Sequence, residues 1–322
     1  MEKEIRDRLS EGVVEEARRR YGIAAGEMRP LDAFESFIYE FERDGRSFIL
    51  RLGHSRRRTP ELIHGEVDWI NYLAAGGAGV AAAVNSAGGD LVEQIPDGQG
   101  GQFLATAFVK AAGGPVGEMG GWSDEVVDAY GRLLGRIHAL SKGYTPGSPA
   151  WRRPEWDWEW NLNLPPLEPA LDDHYQAVLG HLHALPRDSE SYGMIHQDAH
   201  AGNFFVDEAG RITLFDFDDC VHGHFAYDLA MVLFYAVTNR GDAAEFAPHF
   251  WRRFMNGYAA ENDLDPVWQR EIPYFMTLRE IDLYAIIQRD YDSLAGDTWV
   301  ESFMDGRRER IVAGMPYLEM DF

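Results

Sequence analysis

The feature that most constrains the fold is a change in the spacing of apolar residues near residue 111. Before it, short runs rich in β-branched and aromatic residues are separated by turn residues, which is typical of strands. After it, apolar residues recur every three to four positions, which is typical of amphipathic helices. A stretch containing Gly and Pro, residues 111–115, separates the two patterns. The spacing therefore predicts two lobes, at residues 1–110 and 111–322.

The first lobe is predicted to contain a small antiparallel sheet with one helix. Phe37–Glu42 and Ser47–Leu52 are joined through Asp44-Gly45, a strong signal for a tight hairpin turn. Thr59-Pro60 has the form of a helix N-cap followed by a first-turn proline. A charged flanking helix is predicted at residues 3–20, and further strands at about 28–34, 79–84, 91–95 and 102–109.

The second lobe is predicted to be larger and mainly helical, so the fold class is α+β with two lobes. Helical spacing begins after Ser123. One hairpin interrupts it, with strands at 204–207 and 211–217. The later helices are predicted at about 167–185, 225–239, 243–261, 266–294 and 298–313.

The charge of the chain limits its partners. There are 53 acidic and 30 basic side chains, a net charge of −23, and most of the excess lies after residue 110. This field repels phosphate backbones and anionic lipid heads. We therefore expect neither nucleic acid nor membrane as a partner, and a cationic or zwitterionic small molecule is favoured. The single cysteine, Cys220, and a polar N-terminus predict a cytoplasmic location.

The chemistry is concentrated in residues 194–228. Asp198 and Asn203 lie five residues apart, and Asp216 follows at the end of the predicted hairpin. Phosphoryl transfer needs a carboxylate that accepts an alcohol proton and oxygen ligands that hold Mg²⁺ on the nucleotide phosphates. The hairpin would bring Asn203 and Asp216 together at its open end. His196-x-Asp198-x-His200 is also a spacing of metal ligands in hydrolases, which stays open as an alternative.

The motif His196-x-Asp198-x-x-x-x-Asn203, followed by Asp-Phe-Asp at residues 216–218, resembles the aminoglycoside phosphotransferase and choline kinase superfamily. The resemblance implies a protein-kinase-like fold over most of the chain. It implies a phosphotransferase that uses ATP and Mg²⁺ to phosphorylate a hydroxyl of a small molecule, such as an amino-alcohol, an aminoglycoside, homoserine or a sugar. His200 in the motif is similar to small-molecule kinases rather than to protein kinases.

The resemblance also implies roles for single residues in the second lobe and at its hairpin. Asp198 orients the acceptor hydroxyl and accepts its proton, and His200 lies near the transferred phosphate. Asn203 and Asp216 hold Mg²⁺, and Asp228 braces the loop. Asp218 is assigned to the metal site, with a contact to a cationic substrate or a solvated loop position as the alternatives.

In the first lobe, the resemblance places Arg51 where most relatives have a lysine, paired with Glu66 across the lobe. Backbone groups near Ala107 and Val109 are expected to bind adenine. Arg51 and the turn at residues 31–36, which has no glycine, leave a catalytically weak nucleotide-binding regulatory protein as one alternative. A bacterial Ser/Thr protein kinase of the same superfamily is another.

Two further segments have alternative interpretations. Four tryptophans lie between Trp151 and Trp160, which predicts an anchor for a helical insertion, with an aromatic and acidic ammonium pocket as the alternative. His222 and His224 are predicted to lie in a polar turn, with metal ligation as the alternative.

Overall fold

The structure, a computed structural model, describes residues 3–31, 36–158 and 164–322. It divides into two compact units. The first unit runs to Gly113 and includes residues 144–153 and 213–218, and the second contains 114–143, 154–212 and 219–322. Two short segments of the predicted second lobe therefore belong to the first unit. The glycine-free turn, apart from its end residues 31 and 36, and Trp160 lie outside the described residues.

An antiparallel sheet forms the centre of the first unit. Its six strands within the described residues are β1 (Met28–Leu31), β2 (Phe37–Arg43), β3 (Arg46–His54), β4 (Ala83–Val84), β5 (Glu93–Pro96) and β6 (Gln102–Val109). They have the order β1-β2-β3-β6-β4, and β5 also pairs with β6. Apolar residues of these strands pack with the first helices into a buried core.

The hairpin between β2 and β3 confirms the prediction from Asp44-Gly45. Arg43 faces Arg46 in the register, and the two residues between them have φ angles of 53° and 71°. A two-residue turn with both φ angles positive matches the twist of the flanking strands. This turn places Arg51 on β3, next to Thr106 of β6.

Three helices belong to the first unit: α1 (Lys3–Arg6), α2 (Glu11–Arg20) and α3 (Pro60–Ala75). The prediction of one helix over 3–20 was wrong. Ser10 has an extended backbone and its hydroxyl accepts from the Val13 N–H at 3.3 Å, so a new helix begins there. The predicted cap of α3 is present, since the Thr59 hydroxyl accepts from the Leu62 N–H at 3.4 Å.

Residues 144–153 pack closely against α3. The Trp151 carbonyl approaches Gly65 so closely that a Cβ there would lie 2.1 Å from its oxygen. Asp68 of α3 accepts from the Tyr144 hydroxyl at 2.7 Å and from the Gly147 N–H at 3.0 Å. The segment therefore fixes the position of α3, which carries Glu66.

Seven helices in the described part of the second unit surround a core in which α6 is almost completely buried. Most lie close to their predicted positions, although the last predicted helix is divided at Gly306, where φ is 61°. They are α4 (Asp124–Ser141), α5 (Pro169–His183), α6 (Phe225–Val237), α7 (Ala243–Ala259), α8 (Ile272–Leu294), α9 (Thr298–Met304) and α10 (Arg307–Val312). Among the described helices, none combines the length and the apolar character that a membrane span requires.

Strand β7 (Tyr192–Ile195) pairs with β10 (Val221–His224) in the second unit. The polar turn predicted at His222 and His224 is therefore a strand. His224 is fully buried, and burial lowers its pKa to about 4. The predicted hairpin lies between β8 (Phe204–Val206) and β9 (Ile212–Leu214), and its turn is closed by the Asp207 N–H, which donates to the Arg211 carbonyl.

Trp156 anchors its own segment in the second unit, but residues 154–158 form a β-bridge and a turn and not the predicted helical insertion. It is 1% exposed, and its ring contacts Tyr227 and Phe275. The backbone N–H of Trp156 donates to the His222 carbonyl at 2.7 Å. The segment is therefore packed into the core beside strand β10.

Candidate active site

Asp228 holds the loop that follows β7. Its Oδ1 accepts from the Gln197 N–H at 2.7 Å, and its Oδ2 accepts from the His196 N–H at 2.9 Å. Gln197 has φ of 70°, a left-handed backbone that costs free energy in a non-glycine residue. The buried Asp228 carboxylate offsets this cost and fixes the backbone on the N-terminal side of Asp198. The predicted bracing role of Asp228 matches this geometry.

A buried chain of hydrogen bonds from other side chains holds the Asp228 carboxylate in place. His138 Nε2 lies 3.1 Å from Asp228 Oδ2, and His138 Nδ1 lies 2.8 Å from the Tyr258 hydroxyl. Asn262 Nδ2 donates to the same hydroxyl at 2.7 Å. Asn262 can then donate to the Tyr258 hydroxyl, and that hydroxyl can donate to His138 Nδ1. His138 therefore carries its proton on Nε2 and donates it to Asp228. Helices α4 and α7 therefore help to fix the loop.

Asp198 is contacted by three side chains of the second unit. Asn203 Nδ2 donates to Asp198 Oδ2 at 3.1 Å and to the Asp198 carbonyl at 2.9 Å. His200 Nε2 lies 3.3 Å from Oδ2, while its Nδ1 accepts from the Gly202 N–H. Arg279 of α8 donates to Oδ1 at 3.1 Å. The structure thus brings the predicted residues Asp198, His200 and Asn203 together.

These contacts keep the Asp198 carboxylate charged. Burial by itself would raise the pKa, but the hydrogen bond from His200 and the charge of Arg279 outweigh it and hold the pKa of Asp198 below its usual range. The side chain remains 23% exposed. An ionised, accessible carboxylate in a rigid loop can orient a hydroxyl group and accept its proton.

In the first unit, Arg51 and Glu66 form the predicted ion pair. Arg51 Nη1 and Nη2 donate to the two carboxylate oxygens of Glu66 at 2.8 and 2.6 Å. Both residues are buried, at 7% and 0% exposed. The planar guanidinium matches the carboxylate with two parallel bonds, which a lysine could not make. The pair therefore ties β3 to α3.

Asp218 is surrounded by guanidinium groups. Its Oδ2 lies 3.0 Å from Arg57 Nη2 and 3.3 Å from Arg58 Nη2, and its Oδ1 lies 3.9 Å from Arg51 Nη1. Arg153 also donates to its backbone carbonyl at 2.7 Å. Burial would raise the pKa of Asp218, but the charges of these arginines lower it. The carboxylate is thus already neutralised by cations of the protein.

Asp216 stands two residues earlier, in an exposed position with a φ angle of 63°. Leu214 fixes this segment on one side, because its N–H and carbonyl bond to the backbone of Gly79 and Ala81. Phe217 fixes it on the other side through an edge contact with Trp69 of α3, with ring centroids 5.4 Å apart. The strained backbone of this exposed residue is therefore held on both sides.

Ala107 and Val109 lie on β6, as predicted. Ala107 is fully buried and faces Leu50 of β3 in the register. The Val109 N–H donates to the Ala82 carbonyl at 2.9 Å, so it is already used within the first unit. A backbone contact to adenine at Val109 would therefore have to use its carbonyl.

Comparison with known proteins identifies the chain. The sequence model of the phosphotransferase enzyme family matches residues 27–267. The chain belongs to this family. It is 36% identical over 320 residues to amicoumacin kinase from Bacillus subtilis (strain 168), covering 97% of this chain and 95% of that protein.

Solved structures agree with this assignment. An amicoumacin kinase in complex with AMP-PNP, Ca²⁺ and Ami is 33% identical, with a TM-score of 0.93 over 100% of this chain and 98% of that one. A microcompartment-associated aminopropanol kinase is 19% identical, with a TM-score of 0.74 over 96% of this chain and 100% of that one, and shares the fold. The expected α+β fold of the aminoglycoside phosphotransferases is confirmed.

The chain is therefore a kinase of the small-molecule phosphotransferase type. The AMP-PNP and Ca²⁺ bound in the solved amicoumacin kinase complex agree with the ATP and divalent metal ion expected from the sequence. This finding favours an enzyme over the alternative of a catalytically weak nucleotide-binding regulatory protein. The hydrolase alternative also loses its support, because His196 is fully buried and its Nδ1 accepts from the Asp198 N–H at 3.3 Å.

The chain offers suitable oxygen donors for the metal ion. Asn203 uses its amide nitrogen toward Asp198, and no hydrogen bond to its Oδ1 occurs within the described residues. Asp216 is an exposed residue of the first unit. Carboxylate and amide oxygens are the ligands that Mg²⁺ prefers, so each residue, taken by itself, carries a suitable donor atom.

The sequence reasoning missed three residues that support Asp198: His138, Arg279 and Tyr235, whose hydroxyl accepts from Arg279 Nε at 3.0 Å. The signal available for His138 was its position in the helical spacing that follows Ser123. Arg279 is one of many charged residues on a long helix, and nothing in its local spacing points to Asp198. Only the tertiary contact shows its place.

Proposed function

We propose that this kinase transfers the γ-phosphate of ATP to a hydroxyl of amicoumacin or of a closely related cationic small molecule. The observation that carries the proposal is the Asp198 carboxylate, held charged and partly exposed in a braced loop. The choice of acceptor is supported by the 36% identity to amicoumacin kinase over nearly the whole chain.

In the second unit, Asp198 orients the acceptor hydroxyl and takes up its proton. Asn203, His200 and Arg279 hold the carboxylate in one orientation, and each donates toward its oxygens or lies beside them. Phosphoryl transfer depends mainly on positioning and charge stabilisation. A carboxylate fixed from three sides suits that requirement.

In the first unit, Arg51 is proposed to contact the phosphates of ATP while Glu66 fixes its guanidinium. Asp216 and Asn203 are proposed as the ligands of the metal ion, which neutralises charge on the phosphates. Asp218 is left out of the ligand set, because three arginine side chains already neutralise its carboxylate. ATP supply places the reaction in the cytoplasm.

The test is phosphate transfer to amicoumacin with Mg²⁺ and ATP, measured by mass spectrometry of the product and by ADP release. We expect the wild-type protein to add one phosphate. Asp198→Asn should lower kcat by about 10²- to 10⁴-fold, because a general base contributes roughly that factor. The KM for ATP should change little.

Asp263→Asn is the matched control, since Asp263 is an exposed aspartate in the same unit. It should keep wild-type kinetics. Phosphate incorporation into protein substrates, with none into amicoumacin, would contradict the proposal and favour a protein kinase. Equal activity of Asp198→Asn and wild type would also contradict it.

A further inference from the structure

Tyr130 of α4 is a buried tyrosine that the site described above does not use. It is 1% exposed, and its hydroxyl donates to the carbonyl of Ala199, the residue directly after Asp198. Ala199 is fully buried, and no other hydrogen bond to its carbonyl occurs within the described residues. Buried backbone carbonyls in native proteins are nearly always paired. The Tyr130 hydroxyl therefore meets the hydrogen-bonding requirement of this carbonyl.

The ring of Tyr130 contacts the other end of the same loop. It packs against Phe204, with the ring centroids 4.7 Å apart. Phe204 is fully buried and directly follows Asn203. One side chain of α4 thus contacts the residues that come directly after Asp198 and Asn203. It therefore restrains the catalytic loop, residues 196–203, at two points.

Aromatic neighbours fix the orientation of the Tyr130 ring. Phe254 of α7 meets it edge-on, with the centroids 5.3 Å apart and the ring planes at 80°. Trp122, which precedes α4, stacks on it at 6.0 Å with the planes at 20°. A ring packed this densely from several elements is held in one rotamer. The hydroxyl is therefore directed at the Ala199 carbonyl by the packing of the second unit.

The hydrogen bond from Tyr130 complements those of Asp228. The Asp228 carboxylate accepts from the N–H groups of His196 and Gln197, on the N-terminal side of Asp198. Tyr130 holds the carbonyl of the next residue, on the C-terminal side. The backbone of Asp198 is therefore fixed from both directions. Because the rotamer of a side chain depends on its backbone, these bonds also restrict the Asp198 carboxylate.

The surroundings keep the Tyr130 hydroxyl protonated, as a hydrogen-bond donor must be. Burial raises the pKa of Tyr130 well above its usual value, and the charges of Asp228 and Asp198 act in the same direction. A phenolate here would be buried and repelled by both carboxylates. The neutral hydroxyl is therefore the form that holds the loop over the whole working pH range.

We propose that Tyr130 is a positioning residue for phosphate transfer: it fixes the backbone that follows Asp198, so that the carboxylate meets the acceptor hydroxyl in the reactive orientation. Positioning supplies much of the rate of phosphoryl transfer. The inference rests on the proposed function of Asp198 and adds a residue of α4 that acts through it.

The experiment begins with Tyr130→Phe, which removes the hydroxyl oxygen and keeps the ring and its packing. For phosphate transfer from ATP to amicoumacin, kcat should fall about 10- to 10²-fold with both KM values within about threefold, because the loop still forms but the carboxylate is misplaced.

Tyr21→Phe is the matched control. Tyr21 is also fully buried, and its hydroxyl donates to the carbonyl of the buried Ala105 at 2.9 Å, in the first unit. Each variant leaves one buried alanine carbonyl without its donor, so each should lower Tm by about 2–6 °C. Only Tyr130→Phe should lower kcat. A loss of kcat that merely follows stability would appear in both variants.

A double variant tests whether Tyr130 acts through Asp198. Residues that act as a unit have non-additive effects, so adding Tyr130→Phe to Asp198→Asn should lower the residual kcat by less than about twofold. A general loosening of the fold would lower kcat by the same factor in both backgrounds.

Hydrogen exchange gives a readout that does not depend on turnover. The amides of residues 196–203 should exchange faster in Tyr130→Phe than in wild type, because the variant loses a bond that closes the loop. Tyr21→Phe should leave their exchange unchanged.

The outcomes separate the two proposals. If wild type phosphorylates no acceptor of the amicoumacin type, the proposed function fails, and the positioning role with it. If wild type is active, three results would each show that the role of Tyr130 is wrong while the kinase assignment stands. These are a wild-type kcat in Tyr130→Phe, an equal loss in both backgrounds, and unchanged exchange of the loop amides.

Discussion

Arg279 is a residue whose role depends on one tertiary contact. Its guanidinium lies over the ring of Tyr235, with 5.4 Å to the ring centroid, and its Nη2 donates to Asp198 Oδ1 at 3.1 Å. Burial opposes its charge, but the hydroxyl of Tyr235 and the carboxylate of Asp198 raise the pKa of Arg279 above the usual value. The contact restricts the Asp198 carboxylate to one orientation, which makes Arg279 a positioning residue.

We expect Arg279→Gln to lower kcat by about 10²-fold, since a displacement of about 1 Å in a catalytic group can cost that factor. The KM for ATP should stay within about threefold of wild type. Steady-state kinetics with both substrates would measure the effect on kcat and on the KM for ATP separately. Arg289→Gln, on the exposed part of the same helix, should keep wild-type kcat. A change confined to the KM for ATP would contradict the positioning role.

The packing of α4 against α7 determines the positions of His138 and Tyr258, which help to fix the catalytic loop. Gly131 of α4 and Gly257 of α7 let the two backbones approach: a Cβ on Gly131 would lie 1.9 Å from the Phe254 carbonyl oxygen, and one on Gly257 would lie 2.1 Å from the Asp128 carbonyl oxygen. His138 on α4 and Tyr258 on α7 can form their hydrogen bond because the helices are this close.

Gly131→Ala should therefore destabilise the protein by about 1–3 kcal/mol or more, because the added methyl group overpacks the contact. Urea denaturation followed by circular dichroism would measure the change. The control is Gly180→Ala on α5, where no atom lies within 4 Å of the added Cβ. That variant should be stabilised by up to about 1 kcal/mol through helix propensity. Equal effects of the two substitutions would contradict the close-packing explanation.

For the molecule as a whole, the net charge of −23 gives the protein a negative field that attracts cations. A cationic acceptor gains from this field, whereas ATP is repelled until its metal ion offsets part of the charge. Added salt shortens the range of the field, to about 10 Å at 0.1 M. The two substrates should therefore respond differently to ionic strength.

We expect kcat/KM for amicoumacin to fall several-fold between about 10 and 200 mM NaCl, since screening weakens the attraction. An uncharged acceptor that the protein also phosphorylates should show little of this dependence and serves as the control. Initial rates at fixed, saturating Mg-ATP would measure it. An increase of kcat/KM with salt would show that electrostatic steering of the acceptor is wrong.

Local signals in the sequence determined much of the fold. Asp44-Gly45 and Thr59-Pro60 specify a turn and a helix start through their own backbone preferences, and the apolar spacing located the main helices. The single helix predicted at 3–20 failed because the Ser10 cap outweighs the charged helical pattern. Strand β10 was missed because two of its four residues, His222 and His224, are polar and a third is glycine, and only pairing with β7 makes them a strand.

The sequence by itself determined the motif residues Asp198, Asn203 and Asp216 and, through the match to its family, a phosphotransferase. Only the tertiary structure decided which other side chains contact these motif residues and fix their carboxylates. Arg279 reaches Asp198 from a distant helix, and the arginines around Asp218 occupy a carboxylate that the motif had assigned to the metal. The reason is physical: a local pattern records the preferences of neighbouring residues, whereas burial and charge pairing depend on groups that meet only after the chain has folded.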